Sequence, residues 1–253
     1  MHFRAAVSAL ILAVAFACTS QPSTPAAPAG PSVDTATAGT ITVSVKFDGA
    51  PPEVQMVRLD GDSKCVAANG ASERPAESIV LGDKIGEQSA LQNAFVYIKD
   101  GLGNYAYPLA TEPVLLDQVK CRYTPRVVGV RVGQPLAIRN SDPLFHSVRG
   151  DGKVNAPFNF GEPIQGVSFN RTFSTREVMV PIKCDVHGWM NAWVGVLDHP
   201  YFGTSGATGT IALTTVPSGT YTLEAWHESL GARTQQVTIA PKETKEVSFV
   251  FTR

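Results

Sequence analysis

The segment KCDVHGWM, residues 183–190, sets Cys184, His187 and Met190 three residues apart in a chain with four cysteines, four methionines and five histidines. A thiolate and a thioether are soft donors that suit Cu(I), and imidazole suits both copper oxidation states. The segment follows the β-branched run STREVMVPI, so its three donors fall in one turn-like loop at a strand end and can converge on one point. They are one imidazole short of a trigonal His₂Cys plane with a weak axial methionine. The missing donor is expected at another strand end. LAIRNSDPLFHSVRG, residues 136–150, supplies it as a strand, an Asn-Ser-Asp-Pro turn and then His146.

Other chemistries fit the same residues less well. A c-type haem needs C-x-x-C-H, and no second cysteine lies near Cys184. A structural zinc site wants two or more cysteines and has no use for the methionine. A catalytic Cys-His pair lacks an orienting third group, and a histidine three residues away has little room to act as base. Multicopper oxidases need further histidine pairs, often H-x-H, and none is present, so an enzyme is not expected. A buried Cys and Met with a surface histidine remain the bland alternative.

The elements that must position these donors read as strands. The chain has 253 residues, 43% hydrophobic, with 22 Gly and 18 Pro, enough for one large or two small cores and rich in turns. GTITVSVKF, LQNAFVYIKDG, RVVGVRVGQPLAIRNSD, STREVMVPIKC and NAWVGVLD are β-branched or aromatic runs bounded by Gly, Pro, Asn or Asp. GTIALTTV, GTYTLEAW, TQQVTIA and KEVSFVF alternate in the same way in the tail, and no 3.6-residue period persists. The fold class is all-β. Residues 59–90 are polar and irregular. Four tail strands alone make an incomplete sandwich with open edges, and one remedy is that GTITVSVKF folds back onto them.

The first residues combine Arg4 with an apolar run of about 13 residues, too short to span a bilayer and typical of an export signal over 1–17. AFAC then offers either a cleavage site or a lipoprotein box in which Cys18 carries lipid. The Pro/Ala/Ser/Thr stretch 18–38 reads as a flexible tether and favours the anchored form, on the periplasmic side of a bacterial membrane. In that oxidising space, a lipidated Cys18 leaves three cysteines. With Cys184 reserved as a donor, Cys65 and Cys121 are expected to pair. The formal net charge of −1, with no basic run, argues against nucleic acid and against a polybasic membrane patch.

RNSDPLFHSV and KCDVHGWMNAWVGVL resemble the cupredoxins, the blue-copper proteins typified by plastocyanin and amicyanin, and C-x₂-H-x₂-M is most similar to the short ligand loop of amicyanin. The resemblance covers about residues 90–197. It implies one type 1 copper ion held by His146, Cys184, His187 near the surface, and axial Met190. Ser147 stands where the family often has an asparagine that ties the two ligand loops together. Trp189 either shields the metal or fills the underside of the loop. TTVPSGTYTLEAWHESLG is similar to carboxypeptidase-regulatory-like, transthyretin-type β modules. His199 and the Trp226-His227-Glu228 cluster are left over, as structural histidines or a second site.

The expected order is therefore 39–89, an N-terminal strand and irregular segment; 90–197, a Greek-key cupredoxin β-sandwich; and 198–253, a second, small β-sandwich module. The expected function is an exported electron carrier that exchanges electrons with other exported redox proteins through the exposed edge of His187. No small-molecule substrate is implied, and membrane contact is only through the lipid anchor. Copper storage or delivery without electron shuttling, and a metal-free adhesion or scaffold module, are the competing readings.

Overall fold

The computed structural model describes residues 30–253. The signal segment and Cys18 lie outside the described residues. The end of the expected tether, 30–38, is engaged with the body: Pro31 accepts a backbone hydrogen bond from Ala106 (3.0 Å), and Asp34 closes a turn onto Thr37 and Ala38.

Gly39–Phe47 alternates buried and half-buried positions along its length, with Ile41, Val43, Val45 and Phe47 inward. That period-2 pattern is what a strand with one core face requires. The strand runs antiparallel to Thr210–Val216 and parallel to Thr244–Phe251, so Val43 meets Ile211 on one side and Val247 on the other. Gln88–Leu91 pairs with its far end, and Leu81–Ile85 adds to that. A facing sheet is built from Phe202–Thr204, Phe95–Asp100, Gly219–His227 and Gly231–Ile239. Their inward residues, among them Val96, Ile98, Leu223 and Val237, complete one outer sandwich. Each such buried aliphatic or aromatic side chain contributes on the order of 1.5–3 kcal/mol.

Between Phe95–Asp100 and Phe202–Thr204, which are hydrogen-bonded neighbours in the outer sandwich, the chain leaves to build a second one. One sheet holds Val114–Gln118, Tyr123–Thr124, Leu136–Asn140 and Ser168–Arg171. The other holds Val127–Arg131, His146–Gly150, Phe158–Glu162, Glu177–Lys183 and Asn191–Leu197. Val114–Gln118 lies parallel to Leu136–Asn140, and Val127–Arg131 parallel to Asn191–Leu197. Leu116, Ile138, Val148, Val180, Ile182 and Val194 fill the space between the sheets. The described chain is all-β apart from one short helix, with one β-sandwich inserted into another.

The pairing redraws the expected boundaries. Residues 90–100 fall inside the range expected for the middle sandwich, yet the strands that hold them, Gln88–Leu91 and Phe95–Asp100, hydrogen-bond only into the outer one. Residues 59–90, expected to be irregular, hold the short helix α1 (Ser63–Asn69) and three short strands, of which Leu81–Ile85 and Gln88–Leu91 join the outer sandwich. The tail is no separate follower. It shares its sheets with Gly39–Phe47 and Phe95–Asp100, which pair with three of the four tail strands.

The two sandwiches touch through Phe95, Tyr97, Val127 and Leu197, with Trp193 and Trp226 edge-to-face at 5.2 Å. Two glycines permit this approach. A Cβ on Gly129 would sit 2.3 Å from the Phe202 ring, and one on Gly195 would sit 2.4 Å from Phe95.

Candidate metal centre

His146 opens the strand His146–Gly150, and the turn before it is organised by buried Asn140, whose side-chain amide donates to the carbonyls of Leu144 (2.8 Å) and Glu162 (3.0 Å). Cys184 follows the last residue of Glu177–Lys183. The loop after it is closed by two backbone bonds, Met190 N–H to His187 O (2.8 Å) and Cys184 N–H to Met190 O (3.2 Å). A short loop between adjacent antiparallel strands thus presents Cys184 and His187 beside the start of the His146 strand.

The structure brings these three together. One donor atom from each of His146, Cys184 and His187 lies within 4.8 Å of the others, and all three residues are buried. The Nδ1 atoms of the two imidazoles are 3.1 Å apart, and Cys184 Sγ is 3.7 Å from His187 Nδ1. Met190 is fully buried in the same core cluster as Cys184. Cys65 and Cys121 are joined as a disulfide, and Cys184 is the free cysteine among the described residues.

Both imidazoles are held by carboxylates on their far edges. His146 Nε2 lies 3.0 Å from Asp142 Oδ2, and His187 Nε2 lies 3.3 Å from Asp62 Oδ2. A carboxylate accepts, so each Nε2 carries the proton and each Nδ1 points its lone pair inward. Two lone pairs 3.1 Å apart repel unless a cation, a proton or a metal ion, stands between them. The spacing suits a metal. With bonds of about 2.0 Å to nitrogen and 2.3 Å to sulfur, the observed separations correspond to angles of roughly 100° and 120°, within reach of tetrahedral and trigonal coordination. The donor set fits a thiophilic metal ion with imidazole co-ligands.

The electrostatics agree. Burial opposes ionisation of Cys184, but hydrogen bonds from His146, His187 and the Ser147 N–H outweigh it and hold the thiol down to about 5. Burial likewise opposes charge on His146, yet Asp142 and the Cys184 thiolate lift it to about 9. Asp142 stays below the usual carboxylate range despite burial, because His146 and the backbone N–H groups of Cys121 and Lys120 favour its charge. A preformed thiolate is what a metal ligand needs.

Ser147 makes the tie between the loops that its position called into question. Its hydroxyl accepts from the Asp185 N–H at 2.7 Å and reaches Cys184 Sγ at 3.7 Å, while its own N–H points at the same sulfur from 3.5 Å. The shorter side chain suffices because the two strands lie side by side here.

The expected exposed edge of His187 is absent. The residue is only 2% exposed, because Asp62 and the ring of Trp189, 5.1 Å away, cover it. Trp189 donates to the Cys121 carbonyl (3.1 Å), which fixes it over the histidine. Asp62 and Asp142 were not singled out from sequence. Asp142 sits four residues before His146 and could have been noticed, whereas Asp62 is 125 residues from its partner and carries no local signal. His199 and His227 are buried, and neither joins a donor cluster among the described residues. Each accepts at Nδ1 from the N–H two residues on, from Tyr201 (3.2 Å) and Ser229 (3.3 Å), a local structural role.

No protein-family model matches the chain, and no curated protein does. Among solved structures, a copper-containing nitrite reductase from Thermus scotoductus SA-01 is 23% identical, covering 39% of this chain and 24% of its own, with a TM-score of 0.31. An oxidised variant of amicyanin is 21% identical over 40% of this chain and 97% of its own, TM-score 0.31. A purple cupredoxin from Nitrosopumilus maritimus is 18% identical over 33% and 97%, TM-score 0.28. Similarity at this level decides neither fold nor function, which are read from strand pairing and donors.

Proposed function

We propose that this chain is a type 1 copper protein that carries electrons, and that it is a carrier rather than an enzyme. The convergence of two imidazole Nδ1 atoms and one buried thiolate within 4.8 Å, with Met190 buried in the same core, is the observation that carries this reading. A copper ion bound there would supply a one-electron couple at a site of imidazole, thiolate and thioether donors. His146 and His187 would hold it through Nδ1, Cys184 through Sγ, and Met190 from the core side. Asp142 and Asp62 fix the tautomer and orientation of both rings. Ser147 and the closed 184–190 loop hold the sulfur in place. Donors already locked by hydrogen bonds move little when the charge on the ion changes, which favours fast electron exchange.

The similarity of the ligand segments to cupredoxins supports the same reading, as does the export-type leader. We place the protein outside the cytoplasm, anchored through Cys18, with other exported redox proteins as donor and acceptor. A tether of this kind would raise their effective concentration without new contacts.

The covered edge of His187 favours a second reading, copper storage or delivery, because it hinders electron exchange while retaining metal. Cu(II) added to purified protein separates the two. An intense blue colour with a reversible one-electron wave is expected for the carrier, and tight colourless binding would select storage. No binding would sink both.

A further inference from the structure

The segment between the strands Gly39–Phe47 and Leu81–Ile85 of the outer sandwich makes an excursion onto the metal end of the middle one. Leu59 and Cys65 are buried in the middle sandwich's core, and α1 lies between that anchor and solvent. Asp62 caps α1. Its Oδ1 accepts from the N–H groups of Lys64 (2.8 Å) and Cys65 (3.4 Å), which leaves Oδ2 free to meet His187 Nε2 at 3.3 Å. Further ties run from Asn69 to the Lys120 carbonyl (3.0 Å) and from Lys64 to the Pro143 carbonyl (3.3 Å).

The disulfide joins this cover to the support of the other histidine. Cys121 N–H and Lys120 N–H donate to Asp142 at 2.7 and 2.6 Å, and Asp142 holds His146. One bond between Cys65 and Cys121 therefore connects the two backbone stretches on which both outer carboxylates depend. An electron carrier working through the edge of a histidine has no need of such a cover, and the middle sandwich closes its own core with or without Asp62.

We propose that Asp62 is a positioning residue for the metal centre, brought in from outside the middle sandwich, and that α1, latched by Cys65–Cys121, is the cover that closes the outer edge of His187. The inference deepens the metal-centre reading and rests on it for its purpose. The cover itself is visible without any metal.

Two substitutions separate positioning from helix capping. Asn and Ser at position 62 both keep the cap, but Asn turns an N–H donor toward His187 where Oδ2 accepted, and Ser is too short to reach the ring. In metal-free protein, diethyl pyrocarbonate labelling read by peptide mass spectrometry should find His187 slow in the wild type and faster in Asp62→Asn. It should react about tenfold faster in Asp62→Ser, the change expected for losing one charge-assisted hydrogen bond. The double variant Cys65→Ser/Cys121→Ser should expose His187 at least as much. In Cu(II)-loaded protein, removal by EDTA should follow the same order. His187 as slow in Asp62→Ser as in the wild type would overturn the positioning role. His187 fast in the wild type, or still slow in a folded double variant, would overturn the latched cover. Wild-type protein that binds no copper but shows the labelling order would overturn the metal reading and leave the cover standing.

Discussion

Metal uptake at neutral pH should displace one proton from the cluster, and that proton should come from His146 rather than from Cys184. The sign follows from the two shifts. Cys184 titrates near 5, so at pH 7 its thiol has already ionised and has nothing to give up. His146 titrates near 9, so at pH 7 it still holds a proton that a metal must displace. The geometry limits the count, because two Nδ1 atoms 3.1 Å apart share one proton between them. Apparent affinity should thus be level above pH 9 and fall about tenfold per unit as pH drops from 9 to 5, with one proton released per ion. Below about pH 5 the thiol also becomes protonated, and the slope should steepen to roughly a hundredfold per unit.

Zn(II) is the better probe for this measurement, because Cu(II) can oxidise a free thiolate. Competition against a coloured chelator gives affinity at each pH. Calorimetry at pH 7 in buffers of different protonation enthalpy counts the protons directly. Release of two protons at pH 7 would mean the thiol is not preformed, and release of none would mean that His146 is neutral. Either result refutes the reading of Asp142, His146 and Cys184 as a linked carboxylate–imidazolium–thiolate chain.

Ser147→Ala removes a hydroxyl that touches both the sulfur and the Asp185 N–H, which leaves the thiolate more electron-rich. Voltammetry of copper-loaded protein should then show a lower reduction potential than the wild type. Loss of the Cys65–Cys121 bond, which spans 56 residues, should lower stability by up to about 4 kcal/mol in denaturant titrations. Gly195→Ala drives a methyl into the Phe95 ring, 2.4 Å away, and should cost roughly 1–3 kcal/mol, seen as a lower urea midpoint at unchanged slope.

What the sequence conveyed and what it withheld divide along a physical line. Cys184, His187 and Met190 lie within one loop, so backbone geometry alone keeps them near each other, and their chemistry is readable from spacing. His146 is distant, but it sits at a strand end after a turn, and strand ends of one sandwich gather at one edge. The strands themselves were legible because alternation reports a core face. Alternation does not report the neighbour: the pattern of Gly39–Phe47 would be the same whichever strand it paired with, and only the open edges of the tail hinted at Thr210–Val216 and Thr244–Phe251. The boundary at residue 90 failed for that reason.

The burial of His187 failed for a different one. A loop between two strands is exposed by default, and only a second segment laid over it can reverse that. Here the second segment is a stretch of polar composition, SKCVAAN preceded by Asp62, whose residues give little sign of packing. It stays in place through Leu59, one disulfide and a few side-chain bonds rather than through a broad apolar face. A cover that enters the core only through Leu59, Cys65 and the adjoining Val57 and Val66 can close a site whose donors all come from the middle sandwich. Accessibility of the centre is then set by Leu59, Asp62, Cys65 and Cys121, none of which is a metal ligand. Substitutions at these four positions should therefore change exchange of electrons or metal without removing a donor, and those at Asp62 and Cys121 should also loosen the rings of His187 and His146 that they help to orient.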